Sequence, residues 1–130
     1  MTMRFHHVGI AVKSIEVALR AYRAIFPKIS EPVLISSQKV RVCFIETGPD
    51  VFIELVEPAG EGSAIDVFLR KGLTYYHNGF LTDAFDDAAR TLEEQSAKPL
   101  AVFYSEAFGG RRCQFFVNTA MHLVEIIEAP

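Results

Sequence analysis

Cysteine is scarce: Cys43 and Cys113 are the only two among 130 residues, too few for a disulfide framework. Free thiols and a cytoplasmic setting are the expectation. Positive charge is also in short supply, with 13 Lys and Arg against 16 Asp and Glu and a net charge of −3. No basic block stands out, which argues against nucleic acid as a partner. The longest apolar runs are strand-length, so no segment reads as a membrane span. The opening "MTMRFHHVGIAV" has no apolar stretch followed by a cleavage site, and no export signal is expected. What the chain does have is apolar bulk: half of its residues are hydrophobic, eleven of them Phe. That composition suits one folded domain over residues 1–130.

The chain is written twice. "HVGIAVKSIEVALRAYRAIF" from His7 resembles "HNGFLTDAFDDAARTLEEQS" from His77. In each, a short strand runs through a polar turn into an amphipathic helix. "VRVCFIET" then matches "RRCQFFVN", with Cys43 and Cys113 separated by the same 70 residues as His7 and His77. "FIELVEP" matches "LVEIIEAP", setting Glu54 against Glu125. Each half therefore reads strand, helix, three strands, with Pro32–Ser36 and Pro99–Tyr104 as the weakest strands. The first module covers about 4–58 and the second about 74–130. A connector at 59–73 holds a short helix from Ser63 to Lys71, with Ser63 as N-cap and Gly72 as stop.

Strand side chains alternate between faces, so the direction of each polar group can be read. Val8, Ile10 and Val12 share a face suited to packing under the helix; His7, Gly9 and Ala11 share the other. His77, Gly79 and Leu81 repeat that second face. Glu54 lies in phase with Phe52 and Val56, and Glu125 with Leu123 and Ile127. Carboxylates are seldom buried in apolar strands unless they are paired or bind metal. Two histidines and two glutamates at matching places in two copies of one unit make a mixed N/O set for a divalent ion. His6 and His122 fall on the opposite faces from His7 and Glu125 and read as surface or packing residues. Glu57 and Glu128 read as solvated strand ends, and Cys43 and Cys113 as core. Tyr75, Phe52 and Phe116 read first as core aromatics.

The stretches "HHVGIAV", "VRVCFIETGPDVFIELVEP", "YYHNGF" and "FGGRRCQFF" with "LVEII" resemble the vicinal oxygen chelate superfamily, which includes glyoxalase I and methylmalonyl-CoA epimerase. The resemblance covers nearly the whole chain. It implies an α+β fold of two tandem βαβββ modules, forming a cupped mixed sheet with helices on the outer face. Its metal ligands fall on His7, Glu54, His77 and Glu125, the set that phase and repeat had already singled out. Epimerases place two consecutive histidines where this chain has Tyr76-His77, and some put an acid where it has Val42.

The resemblance further implies a metal-dependent isomerase or lyase. Such an enzyme removes the proton alpha to a carbonyl of a small-molecule substrate, an acyl-CoA or a 2-oxo compound, and stabilises the resulting enediolate. Glu54 or Glu125 would act as base, and the protein would work as a homodimer. By the 70-residue offset Arg112 takes the place of Val42, so Arg112 and Gln114 are expected to face the cavity and hold substrate, with Tyr76 beside them. Cys113, Phe115 and Val117 would then pack outward. The alternatives are three-ligand relatives (ring-cleaving dioxygenases, thiol transfer to antibiotics) and metal-free binders of small molecules.

Overall fold

The computed structural model describes residues 1–130. Its first half runs β1 (Met3–Ala11), α1 (Ile15–Tyr22), β2 (Val33–Ile35), β3 (Val40–Gly48) and β4 (Val51–Pro58). A connector carries α2 (Asp66–Arg70). The second half runs β5 (Tyr75–Thr82), α3 (Phe85–Glu94), β6 (Lys98–Pro99), β7 (Phe103–Ser105), β8 (Arg111–Val117) and β9 (Leu123–Glu128). The strands form one curled sheet in the order β2-β3-β4-β1-β5-β9-β8-β6, with β7 also on β8. β1 and β5, the first strands of the two halves, pair antiparallel at its centre, and each lies parallel to the last strand of its own half. This is the expected α+β architecture.

α1 and α3 each cover the convex face over their own half, as the apolar periodicity requires. Ile15 and Leu19 pack on Cys43, Ile45 and Leu55, while Phe85 and Ala88 pack on Phe116 and Ile126. The start of α1 is held twice. Ser14 Oγ accepts from Val17 N–H at 3.3 Å, and Glu57 reaches over from β4 to accept from Ile15 N–H at 2.7 Å. Glu57 is therefore a tertiary cap and not a loose strand end.

Three local expectations need correction. The segment Pro99–Tyr104 is two strand pieces, because one extra residue lies between the pairs Pro99–Phe116 and Phe103–Cys113 on β8. α2 begins at Asp66, and Ser63 Oγ accepts from Ile65 N–H ahead of it instead of capping it. Gly72 does end the helix region, at φ +69°.

The third correction concerns phase in the second module. β7 follows β2 at an offset of 70, since Val33 pairs with Val42 and Phe103 with Cys113. β8 and β9 follow β3 and β4 at 71, since Phe44 pairs with Glu54 and Phe115 with Glu125. The additional residue lies in the turn after β7, a 3-10 turn at Glu106–Phe108 followed by Gly109 and Gly110 at φ +62° and +80°. Two successive left-handed residues are far easier for glycine than for any other. A one-residue slip moves every side chain to the other face of a strand.

Candidate metal centre

The concave face gathers the four side chains that the repeat had marked. His7 and Gly9 lie on β1 and His77 and Gly79 on β5, in a register that sets His7 opposite Gly79 and Gly9 opposite His77. Each imidazole lies across the glycine of the other half: a Cβ on Gly79 would meet the His7 ring, and one on Gly9 the His77 ring. The small residues therefore make room for the partner histidine. Glu54 and Glu125 enter from the flanking strands β4 and β9. All four are buried, with exposures of 0%, 3%, 1% and 4% for His7, Glu54, His77 and Glu125.

The reacting ends of these side chains converge. His7 Nε2 and His77 Nε2 are 2.8 Å apart. Glu125 Oε1 is 3.2 Å from both, and Glu54 Oε1 is 3.5 Å from His7 and 3.4 Å from His77. The two imidazole nitrogens and a Glu54 oxygen all lie within 4.8 Å of one another. Two ring nitrogens this close cannot both present lone pairs to each other, so a proton or a cation must lie between them. Glu125 Oε1 is fully buried, yet makes no hydrogen bond of normal geometry. Leaving such an oxygen unpaired costs on the order of 1–3 kcal/mol, more when it is charged.

A divalent ion resolves both conflicts. Donors about 2.0–2.1 Å from an ion stand roughly 2.9–3.4 Å apart at angles between a right angle and the tetrahedral one. The separations that involve an imidazole nitrogen run from 2.8 to 3.5 Å, and His7, Glu54 and His77 form the set whose donor atoms all lie within 4.8 Å of one another, with Glu125 outside it. Two carboxylates balance the charge of the ion, and the residues present fit it.

Without a cation, the two carboxylates are driven in opposite directions. Burial pushes the Glu54 carboxyl up to about 7; His7 opposes the rise and the charge of Glu125 adds to it. Glu125 feels the same burial, but the imidazoles of His7 and His77 outweigh it and hold this carboxyl well below the usual range.

The surroundings of the site also differ from expectation. His6 does not point away from His7. β1 shifts register against β5 between Phe5 and His7, and at this bulge the His6 ring turns onto the concave side. It lies 4.7 Å from Phe52, 5.8 Å from Phe44 and 5.4 Å from Phe108, and its Nδ1 is 2.9 Å from His7 Nδ1. Burial, with His7 alongside, lowers its pKa to about 4.

Arg112 and Gln114 face the convex side, because of the phase change in the preceding turn. Arg112 bonds Asp86 at 3.0 Å and Glu128 at 3.1 Å and lies over the Phe85 ring, while Gln114 donates to Leu100 O. The pair Arg112–Glu128 repeats Arg41–Glu57 on β3 and β4, so Arg112 corresponds to Arg41 and not to Val42. Cys113 stands in Val42's place and joins Phe115 and Val42 in the apolar lining of the cup. Its thiol is fully buried, and burial with the nearby charges of Glu125 and Glu54 raises its pKa. Such a thiol is inert at neutral pH. Tyr76 does line the cup, its ring 4.6 Å from that of His77. Phe116 packs under α3, as a core residue should. Tyr75 is 41% exposed and rests near the His122 ring, outside the core.

The cavity beside the four groups measures about 20 Å³, and its walls include Ile35, Val42, Val56, Tyr76, Phe103 and Phe115. That is room for about one water molecule. The two halves also meet across the cup, where Glu106 Oε2 accepts from Ser36 N–H at 3.1 Å and from Ser36 Oγ at 2.6 Å. Phe108, from the same short turn, stacks near the His7 ring and meets Phe44 edge to face.

Comparison with known proteins agrees with this architecture. Residues 6–115 match the family described as the Glyoxalase/Bleomycin resistance protein/Dioxygenase superfamily. The chain belongs to this superfamily. A curated relative, the uncharacterised protein YqjC of Bacillus subtilis strain 168, is 30% identical over 129 residues, spanning 96% of this chain and 91% of that protein. Among solved structures, the superfamily fold recurs in the hypothetical protein BH1468 of Bacillus halodurans C-125. It has a TM-score of 0.87 and 25% identity, with 100% of this chain and 96% of that one covered. The methylmalonyl-CoA epimerase of Mycobacterium tuberculosis shares the fold with a TM-score of 0.84 at 24% identity, over 98% of this chain and 89% of that one.

Proposed function

We propose that this protein is a divalent-metal-dependent isomerase or lyase that removes a proton alpha to a carbonyl. The observation that carries the reading is the buried convergence of His7, Glu54, His77 and Glu125, with a Glu125 oxygen left without a hydrogen bond. A divalent ion held there supplies Lewis acidity toward two oxygens of the substrate, worth several kcal/mol of charge stabilisation.

The chain's own groups divide the remaining work. Glu125, whose buried Oε1 lies 3.2 Å from both imidazole nitrogens, would anchor the ion. Glu54, the other carboxylate beside the two imidazoles, would accept the alpha proton and return it. Neither Val42 nor Cys113 competes for the role of base, one being aliphatic and the other a protonated thiol. Tyr76 and the apolar wall exclude water and contact the substrate. No lysine or arginine is among the residues lining the cavity, so affinity for a carboxylate or 2-oxo group falls to the ion.

A substrate larger than water must displace the side chains above the site, and the Ser36–Glu106 contact is the link that has to yield. The fold shared with a methylmalonyl-CoA epimerase makes acyl-CoA compounds the first substrates to try, followed by small 2-oxo compounds. A homodimer in the cytoplasm completes the reading; the two buried free thiols suit a reducing compartment. The tight apolar lining supports a second reading, a metal-free binder of small apolar molecules; it leaves four buried ionisable groups without a purpose.

The test is metal analysis of purified protein, followed by solvent deuterium incorporation at the alpha carbon of these compounds. Bound metal with exchange that Glu54→Gln abolishes supports the reading. Metal-free protein that binds apolar ligands tightly and exchanges nothing would replace it with the second.

A further inference from the structure

The two histidines of the site are held differently. His77 Nδ1 is buried without a hydrogen-bond partner, whereas His7 Nδ1 meets His6 Nδ1 at 2.9 Å. A neutral imidazole has one N–H and one lone pair, so one ring of this pair must donate and the other accept. His7 presents Nε2 to His77 and to both carboxylates, and a metal bound there takes the Nε2 lone pair. Its proton then belongs on Nδ1, pointing at His6. The bulge between Phe5 and His7 brings the His6 ring to that place, and Phe44, Phe52 and Phe108 pack around it.

We infer that His6 is a positioning residue. Its Nδ1 accepts the Nδ1–H of His7, fixing the tautomer and ring angle that aim His7 Nε2 at the metal. The inference rests on the metal reading above. Metal-binding histidines usually give their second N–H to a carboxylate, a carbonyl or a water, and losing that partner typically costs about 10–100-fold in affinity. Here a second imidazole takes that part for one half of the site only. Tyr76, the residue before His77, offers no nitrogen in the same place.

Two substitutions separate accepting from packing. His6→Phe keeps a ring among Phe44, Phe52 and Phe108 but cannot accept a hydrogen bond. His6→Asn gives up the ring but keeps an acceptor oxygen near the Nδ1 position. Zinc affinity is measured for both variants and the wild type by competition with a chromophoric chelator, and the visible spectrum of each is recorded with cobalt bound. Expected are a loss of about 10–100-fold in affinity with an altered cobalt spectrum for His6→Phe, and affinity within about threefold of wild type for His6→Asn. His6→Phe binding as tightly as wild type, or both variants weakening together, would overturn the inference. Wild-type protein that binds neither ion would instead overturn the metal reading.

Discussion

The two halves of this molecule place the same residues at the same points of one motif, yet give them unequal surroundings. His7 has His6 behind it; the Nδ1 of His77 has no partner. Burial drives Glu54 toward neutrality, while the imidazoles keep Glu125 charged. Duplication supplies a near-symmetric set of four buried side chains, and the differences around it drive the two carboxylates in opposite directions in the absence of a cation. Reciprocity between the halves is structural as well, because each histidine needs the glycine of the other half.

That reciprocity makes the two glycines the most sensitive positions of the site. Gly79→Ala puts a methyl group against the His7 ring, and Gly9→Ala does the same to His77. Each is expected to cost about 1–3 kcal/mol of stability by overpacking and to abolish stoichiometric metal binding, read by thermal unfolding and elemental analysis. Next in size is Glu125→Ala, expected to strip the metal while the fold survives. Metal retained at one equivalent would remove Glu125 from the ligand set.

Glu54→Gln sharpens the contrast between the carboxylates through pH. In metal-free protein the folded carboxyl is raised from 4.5 to about 7. The folded state therefore binds more protons than the unfolded chain in that window, and the stability Glu54 contributes below 4.5 is lost as pH rises toward 7. Metal-free Glu54→Gln should match wild type at low pH and exceed it above pH 7, by on the order of 1–3 kcal/mol in denaturant titrations. An unchanged pH dependence would refute the assignment of opposite shifts.

Much of this asymmetry could not be read from the residues in a row. His7, Glu54, His77 and Glu125 were legible because alternation fixes a side chain's face and the repeat supplied each position twice. Arg112 and Gln114 were misplaced because the turn through Gly109 and Gly110 holds one more residue than its counterpart in the first half, and Cys43 and Cys113 offered a false register. His6 was misplaced because a bulge on β1 suspends alternation at that residue. The filling of the cup by Phe103, Phe108 and Phe115 is a matter of tertiary packing, which no local pattern encodes.

Two smaller tests follow from those corrections. Ser36→Ala removes the hydroxyl bond to Glu106, leaving the backbone N–H bond, and should cost at most about 1 kcal/mol, since the pair is exposed, while speeding metal release to a chelator. Arg112→Ala removes two convex-face ion pairs and should cost about 0.5–1 kcal/mol without changing substrate KM. A large rise in KM would return Arg112 to the cup.

The central claim is that one divalent ion lies among the four side chains. Titration calorimetry of metal-free protein with zinc or cobalt tests it most directly. About one equivalent per chain is expected for wild type, lost when His77 is replaced by Ala. Binding that persists unchanged in His77→Ala, or none in wild type, would contradict it.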